Sequence, residues 1–271
     1  MTKFNNQAVN TQTNNDIVMM NLHEVTHTYT QGKEQKTVLS NINLKIHENE
    51  VVAILGRSGA GKSTLLRIIA GLIAPTLGSM QYCGVDMDGP MANVSMVFQS
   101  FALLPWLTVR DNVAFGLEAQ GMPPALRYKK ANDAIRMIGL EGEEASFPSS
   151  LSGGMKQRIG VARALVVEPE ILLMDEPFSS LDVFTATRLK DDIITLWDSN
   201  QLKTKSMVFV THNVEEAVAM ADRIIVLDSN PGRIKSDIKI DQVRPREMDS
   251  QELNTLKTTI IEQLMHHDER G

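Results

Sequence analysis

Residues 56–64 read GRSGAGKST, directly after the apolar run VVAIL at 51–55 and ahead of LLRIIAGL at 65–72. An apolar run, a glycine-rich turn and an apolar helical stretch, in that order, make a strand, a phosphate loop and a helix. Gly56, Gly59 and Gly61 let backbone N–H groups converge, and a helix starting near Lys62 adds its positive end. The cradle runs through Gly56, Arg57, Ser58, Gly59, Ala60 and Gly61. In this pattern Lys62 bridges the terminal phosphates of a nucleotide, Ser63 offers its hydroxyl to Mg2+, and Thr64 supplies a second hydroxyl contact.

Working outward, ILLM at 171, MVFV at 207 and IIVL at 224 are further short apolar runs, the pattern of parallel strands buried on both faces. Ahead of the phosphate loop, IVMMNLHEVTHTYT (17–30) and TVLSNINLKI (37–46) flank the polar stretch QGKEQ and predict an antiparallel edge sheet. A helix-leaning insert spans roughly Val109 to Ser150, with LRYKKANDAIRMIGL (126–140) as its clearest amphipathic segment. The fold class is therefore α/β: a parallel sheet core with an antiparallel β-subdomain and a helical subdomain. The expected boundaries are a disordered tail at 1–16, the main domain at 17–240 with the helical subdomain at about 100–165, and a helical extension at 241–271. In that extension Asp249 and Glu252 have capping-box spacing, and Leu253, Leu256, Ile260, Ile261 and Leu264 share one face. The face either docks on its own domain or forms a contact between copies.

Composition narrows the classes. Apolar residues at 42% and charged residues at 22% are those of a globular chain, and a net charge of −6 with scattered Lys and Arg argues against a nucleic-acid backbone as partner. The single Cys83, in the turn-like QYCGVD, permits no internal disulfide and suits a reducing compartment. The greasiest stretch, LLRIIAGLIA at 65–74, is too short to span a membrane and carries Arg67. No apolar signal core opens the chain, so a cytoplasmic location is expected, with membrane contact made through a partner.

Two further segments carry chemistry. ILLMDE ends a buried strand in two carboxylates that point differently from its tip: Asp175 to hold Mg2+ directly or through water, Glu176 to polarise the attacking water. LSGGMKQR at 151–158 is a Ser-Gly-Gly turn into a helix, so Ser152, Gly153 and Gly154 form either an ordinary helix cap or a second anion-binding end. One ATP already cradled at Lys62 needs no second end, which suggests service to a nucleotide held on another copy.

With LSGGM in place the chain resembles the ATP-binding-cassette (ABC) family from about residue 17 to residue 233. LSGGM matches the family signature, with Met155 where the family usually has Gln and Gln157 two residues later. Gln99 in VFQS resembles the Q-loop, SSLD at 179–182 the D-loop, and His212 in FVTHN the switch histidine. The resemblance implies a head-to-tail pair of cassettes, made with a second copy or a paralogous ATPase subunit. Two ATP molecules would lie between one subunit's phosphate loop and the other's Ser152, Gly153 and Gly154. It further implies Tyr29 on adenine, Gln99 among the Mg2+ contacts, and His212 at the γ-phosphate positioning water and Glu176. Otherwise Tyr29 is an edge-strand aromatic. The other histidines, at 23, 27, 47, 266 and 267, lack metal-ligand spacing and read as surface or satisfied residues.

SFALLPWLTVRDNV at 100–113 is apolar around Pro105, and by physics alone is either subdomain core or a docking loop. In transporter cassettes this region receives a helix of the integral-membrane permease, and ALLPW with TVRDNV looks like that of importers. SGGMKQR and NPGRI at 230–234 are similar to the cassettes for nitrate, sulfonates and taurine. The expectation is a peripheral subunit at the cytoplasmic face of the inner membrane, coupled indirectly to a solute-binding protein. The stretch after residue 227 is too short for an added regulatory domain. The rivals are an exporter or lipid-transport cassette and a cassette acting on DNA or ribosomes; a phosphate-loop kinase has no use for the signature or His212.

Overall fold

The computed structural model describes residues 17–265. In chain order the elements begin with β1 (Val18–Gln31), β2 (Glu34–His47), β3 (Glu50–Gly56) and α1 (Lys62–Ile69), then β4 (Leu77–Tyr82), β5 (Val85–Asp86) and β6 (Val94–Val97). Three helices follow, α2 (Val109–Ala119), α3 (Pro124–Met137) and α4 (Gly153–Leu165). The chain then alternates β7 (Ile171–Asp175), α5 (Val183–Asp198), β8 (Ser206–Thr211), α6 (Val214–Met220) and β9 (Arg223–Leu227), and closes with β10 (Ile234–Lys239) and α7 (Gln251–Met265). The tail expected at 1–16 and the histidines at 266 and 267 lie outside the described residues.

The main sheet runs β10-β9-β3-β8-β7-β6; β9, β3, β8, β7 and β6 are mutually parallel, and β10 closes one edge antiparallel to β9. Every residue of β3, β7 and β8 is buried, which is why their sequences show unbroken apolar runs instead of alternation. Period-two geometry divides those side chains between two cores. Val52, Ile54, Leu173 and Val208 join α1 and the antiparallel sheet on one face; Val51, Leu55, Leu172 and Phe209 join α5, α6 and α7 on the other. Each buried Val, Leu or Ile contributes about 1.5–3 kcal/mol.

β1 and β2 pair antiparallel as expected, but the hairpin is tighter than QGKEQ implied. Pairing continues to Gln31↔Glu34, leaving Gly32 and Lys33 as the turn, with Gly32 at φ +62°. The other edge of β1 takes β4, which takes β5, completing a four-stranded sheet. A third core unites Val113, Leu117, Ile135 and Ile159 from α2, α3 and α4. Thr108 caps α2, its Oγ1 accepting from Asp111 N at 3.2 Å and donating to Asp111 Oδ2 at 2.6 Å.

The C-terminal helix docks on its own chain, burying Leu253 and Ile260 in the second core. Two details differ from expectation. Ser250, not Asp249, caps the helix, its Oγ accepting from Leu253 N at 3.4 Å, while Glu252 accepts from Gln242 Nε2 at 3.1 Å. Ile261 is 40% exposed, because a straight 3.6-residue helix turns it past the packed stripe. Arg246 secures the preceding segment by donating to the carbonyls of Val218 and Ala221, both at 2.7 Å, at the end of α6. No helix among the described residues is long and apolar enough to cross a membrane.

Candidate active site

The C-terminal ends of β3, β7 and β8 meet at one rim of the main sheet, with β8 between the other two. Loops leaving these ends border a cleft of about 690 Å³, lined on the phosphate-loop side by Ser58, Gly59, Ala60, Gly61, Lys62, Ser63 and Thr64. Gln99, Glu176 and His212 face them, and Tyr29, Lys36 and Val38 close the end nearest the hairpin.

Gly61 sits at φ +90°, and a Cβ there would stand 2.7 Å from Leu39 Cδ2, so any other residue would strain the turn and crowd Leu39. A second glycine supports the loop from below. Gly232, in NPGRI, donates its N–H to Val38 O at 2.8 Å and accepts from Ser40 N at 2.9 Å, so close to the loop that a Cβ would meet Ala60 O at 2.3 Å. Gly56 and Arg57 contribute carbonyls, not cleft surface: Lys62 Nζ donates to Gly56 O at 2.8 Å and Arg57 O at 3.2 Å. Burial pushes the Lys62 ammonium below its ordinary value, and the nearby charges of Glu176 and Asp175 pull it back up.

Asp175 is the buried last residue of β7 and accepts a hydrogen bond from Ser63 Oγ at 2.9 Å. Burial raises its carboxyl above the usual range, opposed by the Ser63 bond and the charge of Arg67. Glu176, one residue on, turns away into the cleft because its backbone is left-handed, φ +46°. That conformation costs a non-glycine residue about 1–3 kcal/mol and is held by Glu176 N donating to Val210 O at 3.1 Å and by Ser179 N and Oγ donating to its carbonyl at 3.3 and 3.1 Å. The Glu176 carboxylate accepts from Gln99 Nε2 at 3.2 Å and lies 3.6 Å from His212 Nδ1. His212 leaves the end of β8 just before Asn213, whose Oδ1 caps α6 by accepting from Glu215 N at 2.9 Å.

Tyr29 is exposed, its OH 3.4 Å from Thr64 Oγ1. His27 packs edge-on beneath it, ring centroids 4.6 Å apart; it is buried, not a surface residue, and only its Nδ1 finds a partner, Ala74 O at 3.1 Å. His47 lies 3.3 Å from Glu50. No group of three or more His, Cys, Asp or Glu side chains that could hold a metal ion occurs among the described residues.

Ser152, Gly153 and Gly154 do not line this cleft. Ser152 caps α4 instead, its Oγ accepting from Met155 N at 3.3 Å, and Gly153 and Gly154 lie against residues 180–185. Met155 packs on the helical core.

A family model for ABC transporters matches residues 39–179, more than half of the chain and inclusive of both glycine turns. The chain belongs to the ABC transporter family. Its similarity extends well past the matched segment. An uncharacterized ABC transporter ATP-binding protein of Methanocaldococcus jannaschii is 44% identical over 255 residues, covering 91% of this chain and 94% of that protein. The nitrate import ATP-binding protein NrtD of Synechocystis is 46% identical over 210 residues, 77% of this chain and 78% of the relative. The taurine import ATP-binding protein TauB of Escherichia coli is 42% identical over 209 residues, 77% and 81% of the two chains. Among solved structures, a dimeric ATP-binding cassette in a post-hydrolysis state with ADP and Pi superposes with TM-score 0.75 at 34% identity, covering 83% of this chain and all of that one. The fold is that of an ABC ATPase.

Residues the sequence alone did not single out also shape this ABC cleft. Lys36 and Val38 reach it because the hairpin register sets Tyr29 opposite Lys36. Gly232 was visible only as part of a family-like segment. The one signal available for Lys36 and Val38 was their place in the strand that pairs with Tyr29's.

Proposed function

We propose that this chain is the ATP-hydrolysing subunit of an importer. In this reading it works as a head-to-tail pair with a second copy or a paralogous ATPase subunit and drives uptake of a small solute of nitrate, sulfonate or taurine type through a separate permease. One observation carries the paired reading: Gln99, Glu176 and His212 converge on the cleft floored by Lys62 and Ser63, while the signature turn of the same chain stays outside it. The donors of Ser152, Gly153 and Gly154 then complete a partner's site.

Within the pair, Lys62 exchanges its loop carbonyls for the terminal phosphates, and Tyr29 stacks on adenine. Asp175, Ser63 and the side-chain oxygen of Gln99 offer only hard oxygen ligands, a set that suits Mg2+. The ion supplies charge neutralisation on the phosphates when bound. Glu176 accepts a proton from water as the water oxygen bonds to the γ-phosphorus and the bond to the β–γ bridging oxygen breaks; His212 orients both groups. Closure of the pair stores the differential affinity of ATP for the closed state, and the Q-loop passes it on.

The loop at 101–107 supports permease docking. Asn112, buried, donates to the carbonyls of Leu104, Leu107 and Thr108, each at 3.0 Å, and leaves Trp106 70% exposed. The names of NrtD and TauB point to import of nitrate- or taurine-type solutes, and a subunit of such an importer would sit peripherally at the inner membrane. The deciding experiment reconstitutes the chain with the permease that co-purifies with it. ATP hydrolysis should rise when a solute-loaded binding protein is added; hydrolysis indifferent to any binding protein, or solute leaving the interior, would make the chain an exporter subunit.

A further inference from the structure

Gln157 is 1% exposed, and neither its amide nitrogen nor its amide oxygen has a hydrogen-bond partner among the described residues. An amide carries two donors and an acceptor, and one buried with all of them unmet disfavours the arrangement that contains it. The position explains what it waits for. On α4 it stands one turn after Gly153 and Gly154 and one turn before Gly160 and Val161, on a single stripe. At one end of the stripe a Cβ on Gly154 would touch Thr185 Cγ2 at 3.4 Å and Leu181 Cδ2 at 3.5 Å; at the other a Cβ on Gly160 would approach Phe101 O at 3.6 Å. Gln157 therefore lies between the turn that precedes α5 and the loop that follows Gln99.

That second loop is held in a sparsely populated shape. Phe101 and Ala102 are consecutive non-glycine residues at φ +64° and +46°, and Arg163, two turns along α4, donates to their carbonyls at 2.8 and 2.6 Å. The loop already has one anchor on α4, and Gln157 is an unused second.

We propose that Gln157 is a positioning residue for hydrolysis, whose amide bonds the backbone of these two loops when ATP draws two chains together. The inference rests on the paired reading above. A bond unmade in the open chain and made in the closed pair favours closure selectively. Gln157 would then tie the helix that begins at Ser152 to Gln99 on one side and to Asp182 on the other.

The test uses the full chain carrying Glu176→Gln, with and without Gln157→Met or Gln157→Leu. ATP–Mg2+-dependent pairing is read by sedimentation, the nucleotide-free thermal midpoint by calorimetry, and kcat and KM in the Glu176 background. Pairing should weaken about tenfold or more, one net hydrogen bond or two, and kcat should fall with KM nearly unchanged. The nucleotide-free midpoint should stay equal or rise, since an unmet amide has been removed. Pairing at the parental level overturns the proposal, and so does a midpoint that falls in step with pairing, which marks a purely structural glutamine. If the Glu176→Gln parent itself stays monomeric in ATP–Mg2+, the paired reading fails and Gln157's role with it.

Discussion

The molecule has two glycine-rich helix starts, and they differ in what surrounds them. The start at Lys62 has a cation, two carboxylates, a glutamine and a histidine gathered at its mouth from four separate segments of the chain. The start at Ser152 has an equal claim to an anion from its backbone, yet among the described residues the one bond of the Ser152 side chain closes its own cap. A helix end without Asp175, Glu176, Gln99 or His212 at its mouth can bind an anion but lacks the groups gathered in the cleft. In the proposed pair the contrast becomes a division of labour: one end would hold the reacting groups, and the other would supply charge stabilisation to a partner's reaction.

The sharpest way to break that contrast is at Glu176. Glu176→Gln should leave ATP binding intact and lower hydrolysis by about 10²–10⁴-fold, measured as phosphate release at saturating ATP; turnover near that of the parent would remove Glu176 from the role of base. A smaller effect is expected at the other helix start. Ser152→Ala should lower hydrolysis by about 10–100-fold, the worth of one hydrogen bond to a charged group, with ATP affinity of the isolated chain nearly unchanged by titration calorimetry. A matching loss of affinity would place Ser152 in its own chain's site and erase the distinction.

The smallest effect concerns stability. A carboxyl whose folded pKa is raised, as burial raises that of Asp175, contributes stability that is present below its unfolded value and lost as pH rises through the folded one. Above that folded value the nucleotide-free chain carries an ionised buried carboxylate at a cost. Asp175→Asn should raise the thermal midpoint near pH 7 by a few degrees, about 2–4 °C per kcal/mol at this chain length, and the gain should shrink as pH falls below the carboxylate range. A gain that grows with acidity would mean that the Ser63 bond, not burial, governs Asp175.

Much of this was legible before the fold was known, for reasons that differ by residue. VVAIL and ILLM read as buried parallel strands because nothing on either face of β3 or β7 meets water. Lys62, Ser63, Asp175 and Glu176 read from local order, since strand tips and helix starts are set by neighbours in sequence. Residues whose place depends on register or on distant packing were not legible: Lys36 and Val38 enter the cleft through pairing with β1, and His27 lies under Tyr29 because bulges in β1 shift its register there. The left-handed turn at Glu176 is also silent, because nothing in Asp-Glu-Pro announces it. The cap at Ser250 was missed by one residue, since Asp249 and Ser250 are equally good cap formers.

Gly232 gives the phosphate loop a different character from the one its nine letters suggest. A stretch such as GRSGAGKST invites treatment as a portable part, yet here the peptide of Ala60 rests on a bare backbone delivered by the turn after β9, the strand beside β3. Transplanted without that floor, the same letters would have room to sag, and a side chain at 232 would lift the loop without altering any of them. The loop and the NPG segment therefore fold as a single unit, though most of the chain's length separates them.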